Sequence, residues 1–240
     1  MTLVEATILI VDDEPQLLKL FGGWFTREGC RVLFAHNGAE GLELAAQNHV
    51  DLVISDVRMP VMNGIEMAKR LGKHPHYRPQ MMFVSGFGDI EDRDLYDIGV
   101  ARKLNKPIGR QQLVDAARRC LLDKDQRWSI PPDQDEGPIS ELVGQASGAA
   151  GQSHWIAFGR GGFCVRAETN LLEGGLAHLH LPSELDTPAS IMATVQWIEP
   201  QEWLLGLEIR YVDPIGRAAV IRVTDALGVN AFIPRTVEPR

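Results

Sequence analysis

The sequence predicts an α/β doubly wound five-stranded parallel sheet, followed by an all-β sandwich or small barrel with a terminal helix. In the first half, short apolar runs alternate with helix-length amphipathic segments, which is typical of strands buried on both faces of a sheet. In the second half, short strands alternate apolar and polar residues between turns that contain glycine or proline. A chain of 240 residues with an apolar fraction of 45% is long enough for two domains of ordinary size.

Five strands and five helices are expected in the first half. The predicted strands are 8–11, 31–35, 52–55, 81–84 and 100–105. The predicted helices are one from Pro15 with Leu17, Leu18, Leu20 and Phe21 as apolar residues, one after Asn37 through Leu44, one from near Asn63 to Gly72, one over 90–98 and one over 110–122. Pro15 suits a first helical turn and Asn37 suits an N-cap.

Polar side chains follow four of these strands. Asp12 and Asp13 follow the first strand, Asp56 the third, Ser85 the fourth and Lys106 the fifth. Because the carboxyl ends of parallel strands meet at one edge of a sheet, these side chains are expected to converge. Three carboxylates, a hydroxyl and an ammonium group predict a phosphoryl-transfer site built around a divalent metal. The alternative, that the two adjacent aspartates are ordinary strand-end or N-cap residues, leaves the other three residues unexplained.

Five motifs carry a family resemblance. They are ILIVDDEP at 8–15, DLVISDVRMP at 51–60, Met62-Asn63-Gly64, Ser85-Gly86 and Lys106-Pro107. In this order and spacing they resemble the receiver domain of bacterial two-component response regulators, a flavodoxin-like fold, over residues 6–124. The resemblance implies a signalling protein that catalyses only its own phosphorylation and dephosphorylation.

The resemblance also implies a role for each residue of the pocket. Asp56 would accept a phosphoryl group from a sensor histidine kinase or a phosphotransfer protein. Asp13, Asp56 and the backbone carbonyl of Arg58 would bind Mg²⁺ directly, and Asp12 would bind it through water. Lys106 and Ser85 would contact the phosphoryl oxygens.

One position departs from the family pattern. The family usually carries an aromatic residue three positions before the Lys-Pro lysine, where this chain has Lys103. This lysine could swing toward the acidic segment 89–97, or it could be a solvated lysine on an edge strand. The family's equivalent face often self-associates, and it has acidic and basic side chains here, so a homodimer on phosphorylation is possible. Those side chains are Glu91, Asp92, Asp94, Arg102, Lys103, Arg118 and Arg119.

A boundary region and a second pattern follow the predicted receiver. Residues 125–153 are rich in Pro, Gly, Ser and acidic residues and are expected to form a linker, with a short strand or helical turn at 139–143. The predicted strands beyond it are 154–158, 163–168, 176–181, 191–199 and 203–211. Asp213 and Pro214 are expected to begin a helix that runs through Leu227 and is closed by Gly228.

The second half resembles the PilZ domain, a six-stranded barrel, over residues 139–230. The matching segments are GGFCV at 161–165, LEGGLAHLHL at 172–181, ATVQW at 193–197 and LGLEI at 205–209. The best-known members of that family bind cyclic di-GMP through an Arg-x-x-x-Arg arm and a polar pair. This chain lacks the arm, and Ala157 and Gly159 occupy the polar positions, so cyclic di-GMP binding is not expected.

The sequence therefore predicts a response regulator whose degenerate PilZ-like domain acts on an unidentified output protein by direct contact. The runner-up is an effector that binds cyclic di-GMP through Arg160 and Arg166. A third interpretation, a catalytic C-terminal domain, has no recognisable Ser/His/Asp order, metal cluster or phosphate loop in its favour.

Charge and composition exclude several partners. Residues 125–240 contain eight arginines, no lysines and fifteen acidic residues, a net charge of −7. This argues against DNA binding and against a membrane-surface role. No apolar run approaches the ~20 residues needed to cross a bilayer, and no signal peptide is visible. The three cysteines, an odd number, suit reduced thiols rather than a disulfide framework, so a cytoplasmic protein is expected. His178 and His180 share a strand face without a nearby Cys or third His, which predicts a surface pair rather than a zinc site.

Overall fold

The structure, a computed structural model, describes residues 3–73, 78–86, 91–132, 139–142, 156–167, 170–181, 188–227 and 230–237. The chain divides into two compact units. The first unit comprises Met1–Glu91 and Ile98–Leu122, and the second comprises Asp92–Asp97 and Asp123–Arg240. Residues 92–97 therefore belong to the second unit, although in sequence they lie between two strands of the first. None of the described helices is both long and apolar enough to cross a bilayer.

The first unit is built on a five-stranded parallel sheet in the order β2-β1-β3-β4-β5. Its strands are β1 (Thr7–Val11), β2 (Arg31–Ala35), β3 (Leu52–Ser55), β4 (Gln80–Ser85) and β5 (Arg102–Asn105). The helices in chain order are α1 (Pro15–Arg27), α2 (Gly38–Gln47), α3 (Gly64–Leu71), α4 (Asp92–Asp97, in the second unit) and α5 (Arg110–Leu121), after a 3₁₀ turn at Leu3–Glu5. Helix α1 packs against α5, and α2 packs against α3. The predicted doubly wound parallel sheet is confirmed.

Local sequence explains the central elements of this unit. Every residue of β1 and β3 is buried, as expected for apolar runs covered on both faces. The Asn37 side chain accepts hydrogen bonds from the backbone N–H groups of Ala39 and Glu40, and Asn63 accepts one from Glu66. These N-caps fix where α2 and α3 begin.

Several predicted details of the first half differ from the structure. The buried face of α1 is formed by Leu18, Phe21, Gly22 and Phe25. This is the i, i+3, i+4, i+7 pattern of a helix stripe, and it leaves the predicted apolar residue Leu20 46% exposed. Helix α2 continues past Leu44, and β5 begins at Arg102 rather than Val100. The predicted fourth helix is shorter, and residues 87–90, including its predicted start, lie outside the described residues.

The second unit contains a mixed six-stranded sheet in the order β6-β9-β10-β11-β8-β7. Its strands are β6 (Ile139–Leu142), β7 (Ile156–Phe158), β8 (Gly162–Arg166), β9 (Leu176–Leu181), β10 (Ala189–Glu199) and β11 (Leu204–Val212). Strand β6 pairs with β9 in parallel, and the other pairs are antiparallel. Strands β6 and β7 end the order, and no pairing joins them within the described part of the chain. Six strands are confirmed, and residues 139–142 form a strand rather than a helical turn.

The terminal helix of the second unit starts later than predicted. Helix α7 spans Arg217–Ala226, with Gly216 as its N-cap. The Asp213 side chain instead accepts hydrogen bonds from the backbone N–H groups of Ile215 and Gly216, which forms a separate turn before the helix. Some predicted strand ends and the predicted helix cap lie outside the described residues: 154, 155, 168 and 228.

The start of the predicted linker is folded onto the second unit. A short helix, α6 (Lys124–Arg127), places Trp128 in the core of the sheet, where its side chain is completely buried. The Trp128 carbonyl accepts a hydrogen bond from Val212 at 3.0 Å. The Lys124 ammonium group lies 2.6 Å from a carboxylate oxygen of Asp225 on α7. Residues 124–128 therefore contribute to the packing of the second unit.

Candidate functional site

Four of the predicted site residues meet at one edge of the parallel sheet. Asp12 follows β1 and is 2% exposed, and Asp56 follows β3 and is 8% exposed. Ser85 ends β4 with no exposed surface, and Lys106 follows β5. Backbone hydrogen bonds continue the sheet to this edge, since the Asp56 N–H donates to Val11 and the Lys106 N–H donates to Ser85.

The Lys106 ammonium group lies between two carboxylates. Its Nζ atom is 2.8 Å from Oδ1 of Asp56 and 3.0 Å from Oδ2 of Asp12. A third carboxylate, that of Glu14, is 3.9 Å away and mostly exposed. The sequence did not single out Glu14, because an acidic residue in an apparent loop has no distinguishing pattern.

Burial and charge act in opposite directions on this ion pair. Burial raises the pKa of Asp56, and the hydrogen bond and charge of Lys106 only partly offset that effect. Burial by itself would lower the pKa of Lys106, but hydrogen bonds to Asp56 and Asp12 outweigh it, so the pKa of Lys106 is raised. Lys106 therefore stays protonated, and its charge holds the pKa of Asp56 below the value that burial alone would give.

The Asp56 carboxylate and backbone are held by neighbouring groups. The backbone N–H of Arg58 donates to Oδ2 of Asp56 at 2.6 Å, and the Ser55 hydroxyl donates to the Asp56 carbonyl at 2.7 Å. A Cβ atom on Gly64 would lie 2.2 Å from that same carbonyl oxygen. Only glycine therefore permits α3 to start this close to Asp56, which explains the Asn63-Gly64 pair in physical terms.

The predicted magnesium ligands are only partly assembled. The Asp13 side chain is exposed, and the carboxylates of Asp12, Asp13 and Asp56 do not come within 4.8 Å of one another as a group in the described chain. The carboxylates of Asp12, Asp56 and Glu14 lie within 3.9 Å of the single ammonium group of Lys106, which leaves negative charge for a divalent cation to neutralise. Oxygen donors of this kind fit Mg²⁺, which retains several waters and needs no complete protein cage. Arg58 contributes its N–H to Asp56, and the role of its carbonyl stays a prediction.

Lys103, which stands where the receiver family usually has an aromatic residue, is half-buried on β5, the last strand in the sheet order. Ser85, one strand inward, is fully buried. A half-buried lysine differs from the fully solvated one that the sequence left open as an alternative. Its role in coupling stays a prediction.

Comparison with known proteins identifies the first half of the chain. Residues 8–118 match the family model of the response regulator receiver domain. The transcriptional regulatory protein GlrR of Escherichia coli K12 is 38% identical over 128 residues, which cover 51% of this chain and 29% of that protein. The transcriptional regulatory protein CpxR of the same strain is 32% identical over 122 residues, 51% of each chain. This chain therefore spans about half or less of the length of these relatives.

A similar structure is the chemotaxis response regulator CheY4 of Vibrio cholerae, which is 27% identical with a TM-score of 0.46. The match covers 49% of this chain and 99% of that one.

Proposed function

We propose that this chain, whose N-terminal half is a response regulator receiver domain, accepts a phosphoryl group on Asp56 and passes the signal on through its C-terminal unit. The observation that carries the proposal is the buried Asp56 carboxylate, 2.8 Å from the Lys106 ammonium group at the carboxyl edge of the sheet. The donor would be a phosphohistidine on a sensor histidine kinase or a phosphotransfer protein. The receiver would act only on its own phosphorylation state.

The chemistry follows from these groups. A carboxylate oxygen of Asp56 attacks the phosphorus atom, a P–O bond forms, and the P–N bond to the donor imidazole breaks, with that nitrogen keeping the electron pair and taking up a proton. Lys106 neutralises charge on the phosphoryl oxygens, which is the main demand of such transfers. The Ser85 hydroxyl then donates to a phosphoryl oxygen. Mg²⁺, held by Asp13, Asp56 and the Arg58 carbonyl and through water by Asp12, would supply further charge neutralisation.

An acyl phosphate assay tests the phosphoacceptor. With Mg²⁺ and a small-molecule phosphodonor, the wild-type chain should gain one phosphoryl group, and Asp56→Asn should gain none, because an amide lacks the nucleophilic carboxylate. Asp115→Asn, a change at an exposed position on α5, is the matched control and should label like wild type. Intact-mass measurement reads the result. Undiminished labelling of Asp56→Asn would refute the assignment.

Helix α4 supports a route from the receiver to the C-terminal unit. It follows Ser85 in sequence, yet it packs against β10 of the second unit. The Tyr96 hydroxyl donates to Oε1 of Gln196 at 3.0 Å, and Gln196 in turn donates to the buried Glu208. The Arg93 guanidinium group lies 2.7 Å from the Glu199 carboxylate. A movement of Ser85 toward a phosphoryl group would therefore pull on a helix that is anchored in the second unit.

The residues that follow α7 also hold α4. The Phe232 N–H donates to the Tyr96 carbonyl at 2.8 Å, and the two aromatic rings are 6.2 Å apart. The Arg235 guanidinium group lies 3.3 Å from the Asp94 carboxylate. These contacts join α4 both to the sheet and to residues 232–235, so a shift of α4 would act on both.

For the second unit we propose a PilZ-like barrel that contacts an output protein and does not bind cyclic di-GMP. Its six strands agree in number with that fold. Residues 230–237 pack against Gly159, which occupies one of the two positions of the family's polar pair. A Cβ atom at this position would lie 2.5 Å from the Phe232 carbonyl oxygen, so the backbone leaves no room for a polar side chain there. Arg160, the arginine that an unconventional nucleotide site would use, donates through Nε to the Asn230 carbonyl at 2.9 Å.

Titration calorimetry with cyclic di-GMP separates this proposal from the runner-up. We expect no binding, because Arg160 is already engaged and Ala157 offers no polar side chain. Arg166→Ala is the informative variant if heat is observed, since Arg166 is exposed on β8. A dissociation constant in the low micromolar range, about −8 kcal/mol, that weakens in Arg166→Ala would favour the nucleotide-dependent effector instead.

A further inference from the structure

A cluster of two histidines and a glutamate lies on one face of the C-terminal sheet. His178 and His180 are two residues apart on β9 and so point to the same side. The parallel pairing of β6 with β9 places Glu141 directly beside His178. The sequence predicted only a surface histidine pair here, because the two strands are far apart in the chain and nothing local indicates that they pair.

The ligand atoms of these three side chains converge. One nitrogen of each imidazole and one oxygen of the carboxylate all lie within 4.8 Å of one another. Nδ1 of His178 is 2.8 Å from Oε1 of Glu141, and Nε2 of His180 is 3.8 Å from Oε2. The two imidazole rings meet edge to face, with centroids 4.4 Å apart. Among the described residues, this is the one group of three such side chains drawn this close together.

The second nitrogen of His178 has its own partner. Nε2 lies 2.6 Å from the hydroxyl oxygen of Ser190 on β10. A ligating histidine usually has its other ring nitrogen hydrogen-bonded in this way, which fixes the ring orientation and leaves the first nitrogen free to bind. The His178 side chain is 23% exposed, whereas His180 and Glu141 are 65% and 58% exposed, so an ion could enter from solvent.

A simple hydrogen-bonded cluster accounts for only part of this arrangement. A proton on Nδ1 of His178 satisfies Glu141 at 2.8 Å, but the nearest approach of His180 to the same carboxylate, 3.8 Å, is beyond hydrogen-bond distance. A single cation could bind all three groups, because one ligand atom of each lies within 4.8 Å of the other two.

We propose that Glu141, His178 and His180 form a binding site for a divalent transition-metal ion of the Zn²⁺ class. Two imidazoles and a carboxylate suit Zn²⁺ and its neighbours and disfavour Mg²⁺ and Ca²⁺, which prefer oxygen ligands alone. Three protein ligands leave a fourth position for water or for a group from a partner. The ion would tie β6, a strand of four residues that pairs with β9 at the end of the strand order, more firmly to the sheet. The site is independent of the phosphorylation pocket.

Metal titration of the full chain tests the site. Zn²⁺ binding is followed by calorimetry, and Co²⁺ binding by visible absorption, both in a large excess of Mg²⁺ to occupy the aspartate pocket. We expect one ion per chain and a Co²⁺ spectrum with nitrogen ligation. Removing a ligand should weaken binding by at least about tenfold, the smallest effect usual for a residue that merely supports a metal ligand. His178→Gln, His180→Gln and Glu141→Gln should each show this loss.

Controls distinguish this site from other metal binding. His36→Gln, at an exposed position of the first unit, should bind like wild type. Circular dichroism verifies that each variant folds. If a histidine variant does not fold, Glu141→Gln, which is the most conservative change, still tests the site. No ion bound by wild type, or unchanged binding in a His178→Gln/His180→Gln double variant, would overturn the proposal. Phosphorylation on Asp56 would be unaffected by either outcome.

Discussion

Lys106→Met is the sharpest test of the electrostatics in the phosphorylation pocket. The change removes the ammonium group that lies within 3.0 Å of both Asp12 and Asp56 and leaves a side chain of similar length. Both carboxylates are nearly buried, so each would lose its compensating charge without gaining full hydration. Removal of one partner of a buried ion pair usually costs about 3–5 kcal/mol. Because Lys106 is 23% exposed and water can partly replace it, we expect about 2–3 kcal/mol.

Urea unfolding at neutral pH measures this loss. Lys69→Met, at an exposed position on α3, is the matched control and should change the free energy of unfolding by less than about 0.5 kcal/mol. In Lys106→Met the carboxylates are unpaired, so protonation relieves the destabilisation. Burial raises the pKa of Asp56 above its ordinary value of 3.8, and the loss of Lys106 raises it further, so the difference from wild type should be largest at neutral pH and begin to shrink before the pH falls to 3.8.

Magnesium adds an independent readout. Since Lys106 and a divalent cation compete for the same carboxylates, Mg²⁺ should stabilise Lys106→Met more than it stabilises wild type. The variant should also lose phosphorylation, because the charge that stabilises the phosphoryl oxygens is gone. An unfolding free energy within about 0.5 kcal/mol of wild type, together with an unchanged response to Mg²⁺, would refute the account of the pocket.

Three further predictions concern the second unit. Tyr96→Phe removes the hydroxyl that donates to Gln196. When beryllofluoride is added to mimic phosphorylation, the change in hydrogen exchange at β10 should therefore be smaller in the variant, while the change at β4 persists. An undiminished change at β10 would contradict the proposed transmission through α4. Burial raises the pKa of Cys164 to about 12, so this thiol should stay unmodified by a disulfide reagent at pH 8 until the protein is denatured; rapid labelling of the native chain would count against the core packing. Burial tends to raise the pKa of Asp213, but hydrogen bonds from backbone N–H groups, led by that of Ser190, outweigh burial and lower it. The ionised carboxylate therefore stabilises the folded chain above pH 3.8, and this stabilisation is lost as the pH falls below that value. Asp213→Asn should therefore be less stable than wild type at pH 7 and approach it under acid, as followed by circular dichroism.

Much of the first unit was predictable because its signals are local. Parallel strands covered on both faces appear as apolar runs, and the side chains that follow them reach a common edge through topology alone. Thus Asp12, Asp56, Ser85 and Lys106 could be grouped without coordinates. The same argument grouped Asp13 with them. Its side chain is exposed, whereas that of Asp12 is buried, and the topology of the strand does not distinguish between two adjacent residues at its end.

The features that escaped prediction depend on long-range pairing. Glu141 reaches His178 only because β6 joins the sheet in parallel beside β9, 37 residues further along the chain. Asp213 carries a strong N-cap signal, but its side chain accepts hydrogen bonds within a turn over 213–216 that lies directly before the helix. Propensity identifies a residue that can cap, and tertiary packing decides which backbone N–H groups are available to it.

The placement of α4 bears on whether activation should work between chains or within one. A phosphorylation-dependent dimer through this face would use the acidic side chains of α4 as partners for basic groups of a second copy. Asp94 already faces Arg235 of its own chain, and the Asp97 carboxylate accepts from the Arg235 backbone N–H. Arg93 likewise lies against Glu199. A second copy would have to displace each of these contacts before gaining its own. Coupling within one chain needs no such exchange, so these contacts support the proposed relay through the second unit more than they support the dimer that the sequence left possible.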